Sequence, residues 1–136
     1  MSALATFVVI GAGQAAGRAV EAMRGEGFEG RIVLVGTEDH LPYERPPLSK
    51  QLLTGEYEPE RTYLRDRAFY DEHGIELRLG TSALGIDREA RTIDLSDGEA
   101  LSYDKLLLTT GARVRRLSSP GSDLPGIYYL RDISDS

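Results

Sequence analysis

Short apolar runs alternate with glycine-rich and charged stretches along this chain, and the first runs predict a strand–helix–strand unit. Residues 7–10 form a continuous apolar run, and Arg31–Val35 (RIVLV) is a second run rich in β-branched residues. Both runs are typical of buried strands. Between them, apolar residues recur at the spacing of one helix face: Ala15, Ala16, Ala19, Val20 and Met23. The pattern therefore predicts a helix from Gln14 to about Arg24 between two strands.

Two short helices are predicted in the middle of the chain. Adjacent prolines suit the first turn of a helix over residues 48–53, with Gly55 as its stop. Asp66 is placed to cap a second helix that ends near His73, where Gly74 supplies the left-handed stop.

The next stretch alternates between apolar and polar residues and predicts strands. Residues 75–79 have this period of two, and so do residues 91–95; Ala83–Asp87 (ALGID) between them is also predicted to be a strand. An Asp97-Gly98 turn then leads into residues 100–103. The last three segments are predicted to form a small antiparallel β-meander, which interrupts the β–α–β rhythm.

A near-continuous apolar run follows the meander at residues 105–110 (KLLLTT). It predicts a central parallel strand that is buried on both faces. The turn at residues 109–112 (TTGA) lies at the carboxyl end of this strand, where α/β proteins bind ligands. Residues 127–130 are predicted to form a last short strand.

Candidate chemistry lies where the first strand meets the first helix. Gly11, Gly13 and Ala16 give the pattern G-x-G-x-x-A. Gly11 permits the tight turn, Gly13 lets a pyrophosphate approach the backbone, and Ala16 lets the helix pack closely on the strand. Glu38 follows the second strand, 22 residues after Ala16 (38 − 16), where a carboxylate can accept hydrogen bonds from a ribose. These features predict a dinucleotide site, FAD or NAD; the alternative is a glycine-rich turn without a ligand.

Composition narrows the function classes. The 136-residue chain has 16 Lys and Arg against 22 Asp and Glu, a net charge of −6, which argues against a nucleic-acid partner. It has no apolar run of the roughly 18 residues that a membrane span needs. The absence of cysteine excludes disulfides and thiolate metal sites, and His40 and His73 have no partners at metal-ligand spacing, so no metal site is predicted. We expect one small domain, or part of one, in the cytoplasm.

The segments GAGQAA, RIVLVG, LPYERPPLSKQLLTG and YLR together resemble the ferredoxin reductases of bacterial oxygenase systems. The resemblance covers essentially the whole chain, and PPLSK is its most selective segment. It implies an α/β, Rossmann-like FAD-binding domain of the glutathione-reductase fold group: three layers, with a parallel sheet and a β-meander crossover. It also implies electron transfer from NADH through FAD to a ferredoxin-type iron–sulfur protein.

The resemblance assigns roles to particular residues. Those that would line the FAD pyrophosphate are Gly11, Gly13, Gln14, Ala15, Ala16, Thr110 and Gly111. Thr37 and Glu38 would lie at the adenosine ribose, and the backbone of Ala83 would contact the adenine. Arg45 would approach the FAD phosphate or ribityl region, and Arg131 would contact FAD.

Lys50 is the candidate catalytic residue. The resemblance places it beside the flavin ring, where a positive charge stabilises electron density on the reduced ring. Disulfide reductases carry their redox cysteines on the corresponding helix, whereas this chain has Pro47-Leu48-Ser49-Lys50 there. The alternative is a solvated lysine in a surface turn.

Residues 1–136 are therefore expected to be the N-terminal segment of an incomplete FAD-binding domain, without the NAD(H)-binding and C-terminal domains of the family. NADH would be a cofactor of the complete protein, and hydride transfer from NADH by this chain alone is not expected. The alternatives are an isolated nucleotide-binding module without turnover, self-association through surfaces that the missing parts would cover, and an NAD-linked dehydrogenase.

Overall fold

The computed structural model describes residues 4–136, and its centre is a four-stranded parallel sheet. The strands lie in the order β3-β2-β1-β7: β1 is Thr6–Ile10, β2 Arg31–Val35, β3 Ile75–Arg78 and β7 Lys105–Leu108. In register, Val8 of β1 lies between Val33 and Leu106. The predicted strands at the start of the chain and at residue 75 are confirmed.

Two α-helices follow their predicted signals. The first, α1, is Gln14–Gly25, and the second, α2, is Arg67–Glu72. The carboxylate of Asp66 accepts the Phe69 amide at 3.0 Å, which is the expected cap of α2. Gly74 has φ +59°, the left-handed conformation predicted for the stop.

The predicted meander is a separate three-stranded antiparallel sheet. Its strands are β4 (Ala83–Asp87), β5 (Thr92–Leu95) and β6 (Ala100–Ser102), in the order β4-β5-β6. β5 begins at Thr92 rather than at the predicted Arg91, because Arg91 has φ +53° and belongs to the preceding turn.

Strand alternation divides the interior into two cores. On one face of the parallel sheet, Val9 and Leu34 pack with Ala16 and Val20 of α1 and with Tyr70 of α2. On the other face, the alternate β1 and β2 residues pack against the meander; this second core contains Val8, Ile10, Val33, Val35, Ile93, Leu95 and Leu101. Because successive strand side chains point to opposite faces, two continuous apolar runs supply both cores. The predicted three-layer α/β fold is confirmed.

β7 differs from its prediction as a buried central strand. It ends at Leu108 and forms the edge of the sheet among the described residues. Leu108 is 56% exposed and Leu107 is 36% exposed, whereas Leu106 packs against the second core. The apolar run predicted the strand correctly, but both cores are centred on β1 and β2.

Two other predicted elements are wrong. Residues 48–53 do not form a helix; a 3₁₀ turn, Pro46–Ser49, is followed by hydrogen-bonded turns up to Gly55. Lys50 has φ −133° and ψ −109°, outside the helical region, so the helix cannot continue through it. Residues 127–130 are irregular and pair with no strand of residues 4–136.

Candidate dinucleotide site

Gly11 makes the turn that leads from β1 toward α1. Its φ is +101°, and a Cβ there would lie 2.2 Å from the carbonyl oxygen of Thr109. Its amide donates to the Val35 carbonyl at 2.8 Å. The position thus requires glycine both for its backbone conformation and for the close approach of the neighbouring strand.

Gly13 leaves the first turn of α1 open. It is the N-cap residue, it has an extended backbone, and no side chain within residues 4–136 caps the helix there. A Cβ built on it would meet nothing within 4 Å. In the first hydrogen bond of the helix, the Gly17 amide donates to the Gly13 carbonyl at 3.0 Å. The amides before Gly17 therefore have no partner within the helix and carry the positive end of its dipole.

Two adjoining cavities lie at the carboxyl ends of β1 and β2. The smaller has a volume of about 190 Å³, and the larger has a volume of about 1010 Å³. Their shared lining contains residues from four separate parts of the chain: Gly11, Thr37, Glu38, Arg45, Thr110, Gly111 and Arg131. The smaller cavity reaches the open helix terminus through Gly13, Gln14 and Ala15. This arrangement can hold an extended polar ligand with an anionic centre.

Glu38 lies between the two cavities and is held by protein donors. The Tyr43 hydroxyl lies 2.5 Å from its Oε2, and Arg45 Nη2 lies 3.2 Å from its Oε1. The carboxylate remains 32% exposed on a side-chain basis. Because Tyr43 and Arg45 both donate to it, the Glu38 carboxylate is a fixed hydrogen-bond acceptor at the end of β2, where the sequence predicts a ribose contact.

The last residues of the chain close one side of the larger cavity. Arg45 Nη1 donates to the Arg131 carbonyl at 2.6 Å, and Ser136 Oγ donates to the Leu48 carbonyl at 2.9 Å. The Asp135 carboxylate accepts the backbone amides of Asp132 and Arg131, which lowers the pKa of that carboxyl group. These bonds hold the segment in place against Arg45 and the 3₁₀ turn that follows it.

Most of the predicted site residues come together. The ones that line either cavity are Gly11, Gly13, Gln14, Ala15, Thr37, Glu38, Arg45, Ala83, Thr110, Gly111 and Arg131. Ala16 does not; it is fully buried in the first core, where it supports the predicted close packing of helix and strand. Lys50 also lies outside both cavities, is exposed, and donates from Nζ to the Pro46 carbonyl at 3.3 Å.

Several contacts at the site were not predicted from the sequence. The hydroxyl of Thr109 donates to the carbonyls of Ile10 at 3.1 Å and Gly11 at 2.9 Å, so it fixes the glycine turn. Thr37 and Ser82 pair through their hydroxyls at 3.2 Å. Arg113 and Arg116 line the larger cavity, although no sequence pattern distinguishes them from solvated arginines. The hydroxyl of Thr109, directly before the second glycine turn, is the one signal that could have been used.

None of the helices in residues 4–136 has the length and apolar character that a membrane crossing requires. Among known proteins, the chain is similar to several reductases. It is 44% identical to rhodocoxin reductase of Rhodococcus erythropolis over 131 residues, which cover 96% of this chain and 31% of that protein. It is 45% identical over 131 residues to the biphenyl dioxygenase system ferredoxin–NAD(+) reductase component of Paraburkholderia xenovorans, covering 96% and 32%.

Solved structures agree with these relatives. The ferredoxin reductase for the CYP199A2 system from Rhodopseudomonas palustris matches with a TM-score of 0.87 at 40% identity, over 96% of this chain and 32% of that one. A covalent putidaredoxin reductase–putidaredoxin complex matches with a TM-score of 0.80 at 40% identity, over 86% and 28%. The chain thus spans about a third of the length of these proteins. Residues 5–136 match the model of one family, and the chain belongs to that family, the pyridine nucleotide-disulphide oxidoreductases.

Proposed function

We propose that this chain is the N-terminal segment of the FAD-binding domain of a ferredoxin–NAD reductase. In the complete protein, electrons would pass from NADH through FAD to a ferredoxin-type iron–sulfur protein in the cytoplasm, where NADH is available. The observation that carries the proposal is the uncapped first turn of α1, with open space at Gly13 and a cavity in front of it. Two relatives are ferredoxin or rhodocoxin reductases by name, and another was crystallised with putidaredoxin.

The residues present fit an FAD group. The amides of Gln14 and Ala15 would bind the diphosphate, since a helix terminus without its own cap favours an anion. Thr110 and Gly111 would face the diphosphate from the other side of the smaller cavity. Arg45 would supply a positive charge next to it.

The adenosine half would lie along the larger cavity. Glu38 would accept hydrogen bonds from the ribose, with Thr37 beside it, and the backbone of Ala83 would contact the adenine. Arg131 would contact the cofactor between the two cavities. When bound, FAD takes up two electrons from a reduced nicotinamide and can give them up one at a time, which suits an iron–sulfur acceptor.

Lys50 remains the proposed catalytic residue. Its exposure leaves the ammonium group free to face a flavin ring, where its charge would stabilise the reduced form. Its bond to the Pro46 carbonyl is long, at 3.3 Å, and holds the side chain only weakly.

Binding of FAD by the purified chain tests the proposal. We expect the chain to retain FAD through gel filtration, as detected by flavin absorbance in the protein peak, and to release FMN, which lacks the adenosine and the second phosphate. Equal retention of both flavins would contradict the proposed diphosphate and ribose contacts. Retention of neither would contradict the cofactor assignment for this chain.

A further inference from the structure

The Tyr43 hydroxyl is the centre of a short chain of hydrogen bonds with a fixed direction. It lies 3.0 Å from Arg45 Nη1 and 2.5 Å from Glu38 Oε2. A guanidinium group has only donors, so Arg45 donates to the tyrosine oxygen. The tyrosine proton must then point to Glu38, and the order of donation runs from Arg45 through Tyr43 to Glu38.

Among residues 4–136, these hydrogen bonds leave the Glu38 carboxylate with two free acceptor positions. Arg45 Nη2 occupies one position on Oε1, and Tyr43 occupies one on Oε2. Each carboxylate oxygen accepts about two hydrogen bonds, so one position remains on each. Two acceptors on one rigid carboxylate match two neighbouring hydroxyl groups on a sugar ring.

The tyrosine itself is held firmly. Its relative exposure is 2%, and its backbone forms an antiparallel bridge with Tyr63. On either side of the bridge, Glu44 donates to the Thr62 carbonyl at 2.9 Å, and Leu64 donates to the Pro42 carbonyl at 2.9 Å. Burial, and next the hydrogen bond to Glu38, raise the pKa of Tyr43. The phenol therefore stays protonated and keeps donating throughout the neutral range.

We infer that Tyr43 is a positioning residue whose hydroxyl orients the Glu38 carboxylate so that both of its oxygens accept from the vicinal hydroxyls of an adenosine ribose. The inference rests on the proposed function and extends it, since it names a residue that touches no ligand itself. It predicts that Tyr43 sets the preference of the site for ribose over deoxyribose.

Binding of ADP and of 2′-deoxy-ADP, measured by calorimetry on the whole chain, tests this preference. The wild-type chain should bind ADP about tenfold more tightly, the factor that one hydrogen bond supplies. Tyr43→Phe should reduce that ratio to about threefold or less, because the carboxylate loses its orientation. Tyr63→Phe is the matched control: its hydroxyl pairs with His40 Nδ1 at 2.9 Å, outside both cavities, and the ratio should stay at the wild-type value.

A double-substitution cycle tests whether Tyr43 acts through Glu38. Glu38→Gln should also lower the ADP preference, and Tyr43→Phe combined with Glu38→Gln should lower it no further. An independent additional loss in the double variant would contradict the inference. The cycle also remains informative if Tyr43→Phe lowers stability. A general loss of structure would weaken the binding of both nucleotides equally and leave the ratio of their affinities unchanged.

The failures are distinguishable. If Tyr43→Phe keeps the wild-type preference for ADP, the inference is wrong and the proposed function stands. If the wild-type chain binds both nucleotides equally, Glu38 makes no ribose contact, and the inference is wrong for that reason. If the wild-type chain binds neither nucleotide, both the inference and the proposed function fail.

Discussion

At its N-terminal end, α1 meets a glycine turn, and no side chain of residues 4–136 caps its first amides, whereas at its C-terminal end the carbonyls of Ala22, Met23 and Arg24 all accept backbone amides. There, the guanidinium group of Arg24 donates to four backbone carbonyls at 2.5–3.1 Å, those of Phe28, Gly30, His73 and Gly74. The C-terminal end joins two loops to the helix and contributes to stability. The N-terminal end leaves polar groups unpaired, and this is what makes it available to an anion.

The largest effect is expected from Gly11→Ala. The new methyl group would lie 2.2 Å from the Thr109 carbonyl oxygen in a backbone with φ +101°, so β1, β7 and the turn would have to move apart. We expect a loss of about 4 kcal/mol in the free energy of unfolding, measured by urea denaturation.

Gly27→Ala is the matched control for this substitution at the other end of α1. Gly27 also has positive φ, +85°, but nothing lies within 4 Å of its Cβ position. Gly27→Ala should lower the free energy of unfolding by only about 1 kcal/mol, through backbone strain alone. Equal losses at the two positions would show that the close contact with Thr109 is not important.

Gly13→Asp would separate binding from stability. An aspartate at the N-cap position can accept the first amides of α1, so the free energy of unfolding should be unchanged or slightly higher. The same carboxylate would occupy the anion position and repel a diphosphate, and FAD affinity should fall by about 100-fold or more, equivalent to about 2.7 kcal/mol. Fluorescence titration of FAD would measure this loss, and retained affinity would mean that the diphosphate binds elsewhere.

Arg24→Met should have the opposite profile. It keeps the aliphatic stem but removes the donors to the four carbonyls, so we expect a loss of about 2 kcal/mol in the free energy of unfolding. FAD affinity should be unchanged, since the site lies at the far end of the 12-residue helix. Arg18→Met is the control. It removes an ion pair between Arg18 and Glu21 (3.1 Å), but the Arg18 side chain is 54% exposed, so the free energy of unfolding should fall by less than about 0.5 kcal/mol. A drop in FAD affinity for Arg24→Met would contradict the assignment of stability to the C-terminal end of α1 and of ligand binding to its N-terminal end.

Tyr70→Phe tests an unpaired polar group that lies where no ligand can reach it. Among the described residues, the fully buried Tyr70 hydroxyl has no hydrogen-bond partner. Its removal should raise the free energy of unfolding by about 1 kcal/mol at neutral pH.

The same residue predicts a pH dependence. Burial raises the pKa of Tyr70 to about 12, above the ordinary value of about 10. The unfolded chain then loses this proton first, so stability is full below about pH 10 and falls as pH rises toward about 12, by up to about 1.4 kcal/mol per pH unit. The free energy of unfolding of Tyr70→Phe, measured by urea denaturation, should decline less steeply over this pH range than that of the wild-type chain. Parallel pH curves for the two proteins would contradict the raised pKa.

The regions that were predicted well depend on local patterns. The β1–α1–β2 unit follows from apolar spacing and from Gly11 and Gly13, because strand alternation and helix periodicity are properties of neighbouring residues. The meander and the capped α2 were predicted for the same reason, from the Asp97-Gly98 turn and Asp66.

The errors concern packing between distant segments. Whether the KLLL run becomes a central or an edge strand depends on what covers it, which its own residues do not encode. No sequence pattern distinguishes Tyr43, because its hydroxyl reaches Glu38 only in the folded chain, where its backbone forms the bridge with Tyr63. The structure does not bring Lys50 to the cavities, and its role stays a prediction.

The most direct test of the open helix terminus is to follow backbone amide resonances while FAD is added to the isotope-labelled chain. We expect the largest shifts at Gly13, Gln14 and Ala15, and almost none from Arg24 to Gly27 at the closed end. Shifts confined to the closed end, or no change at the glycine turn at saturating FAD, would contradict the account.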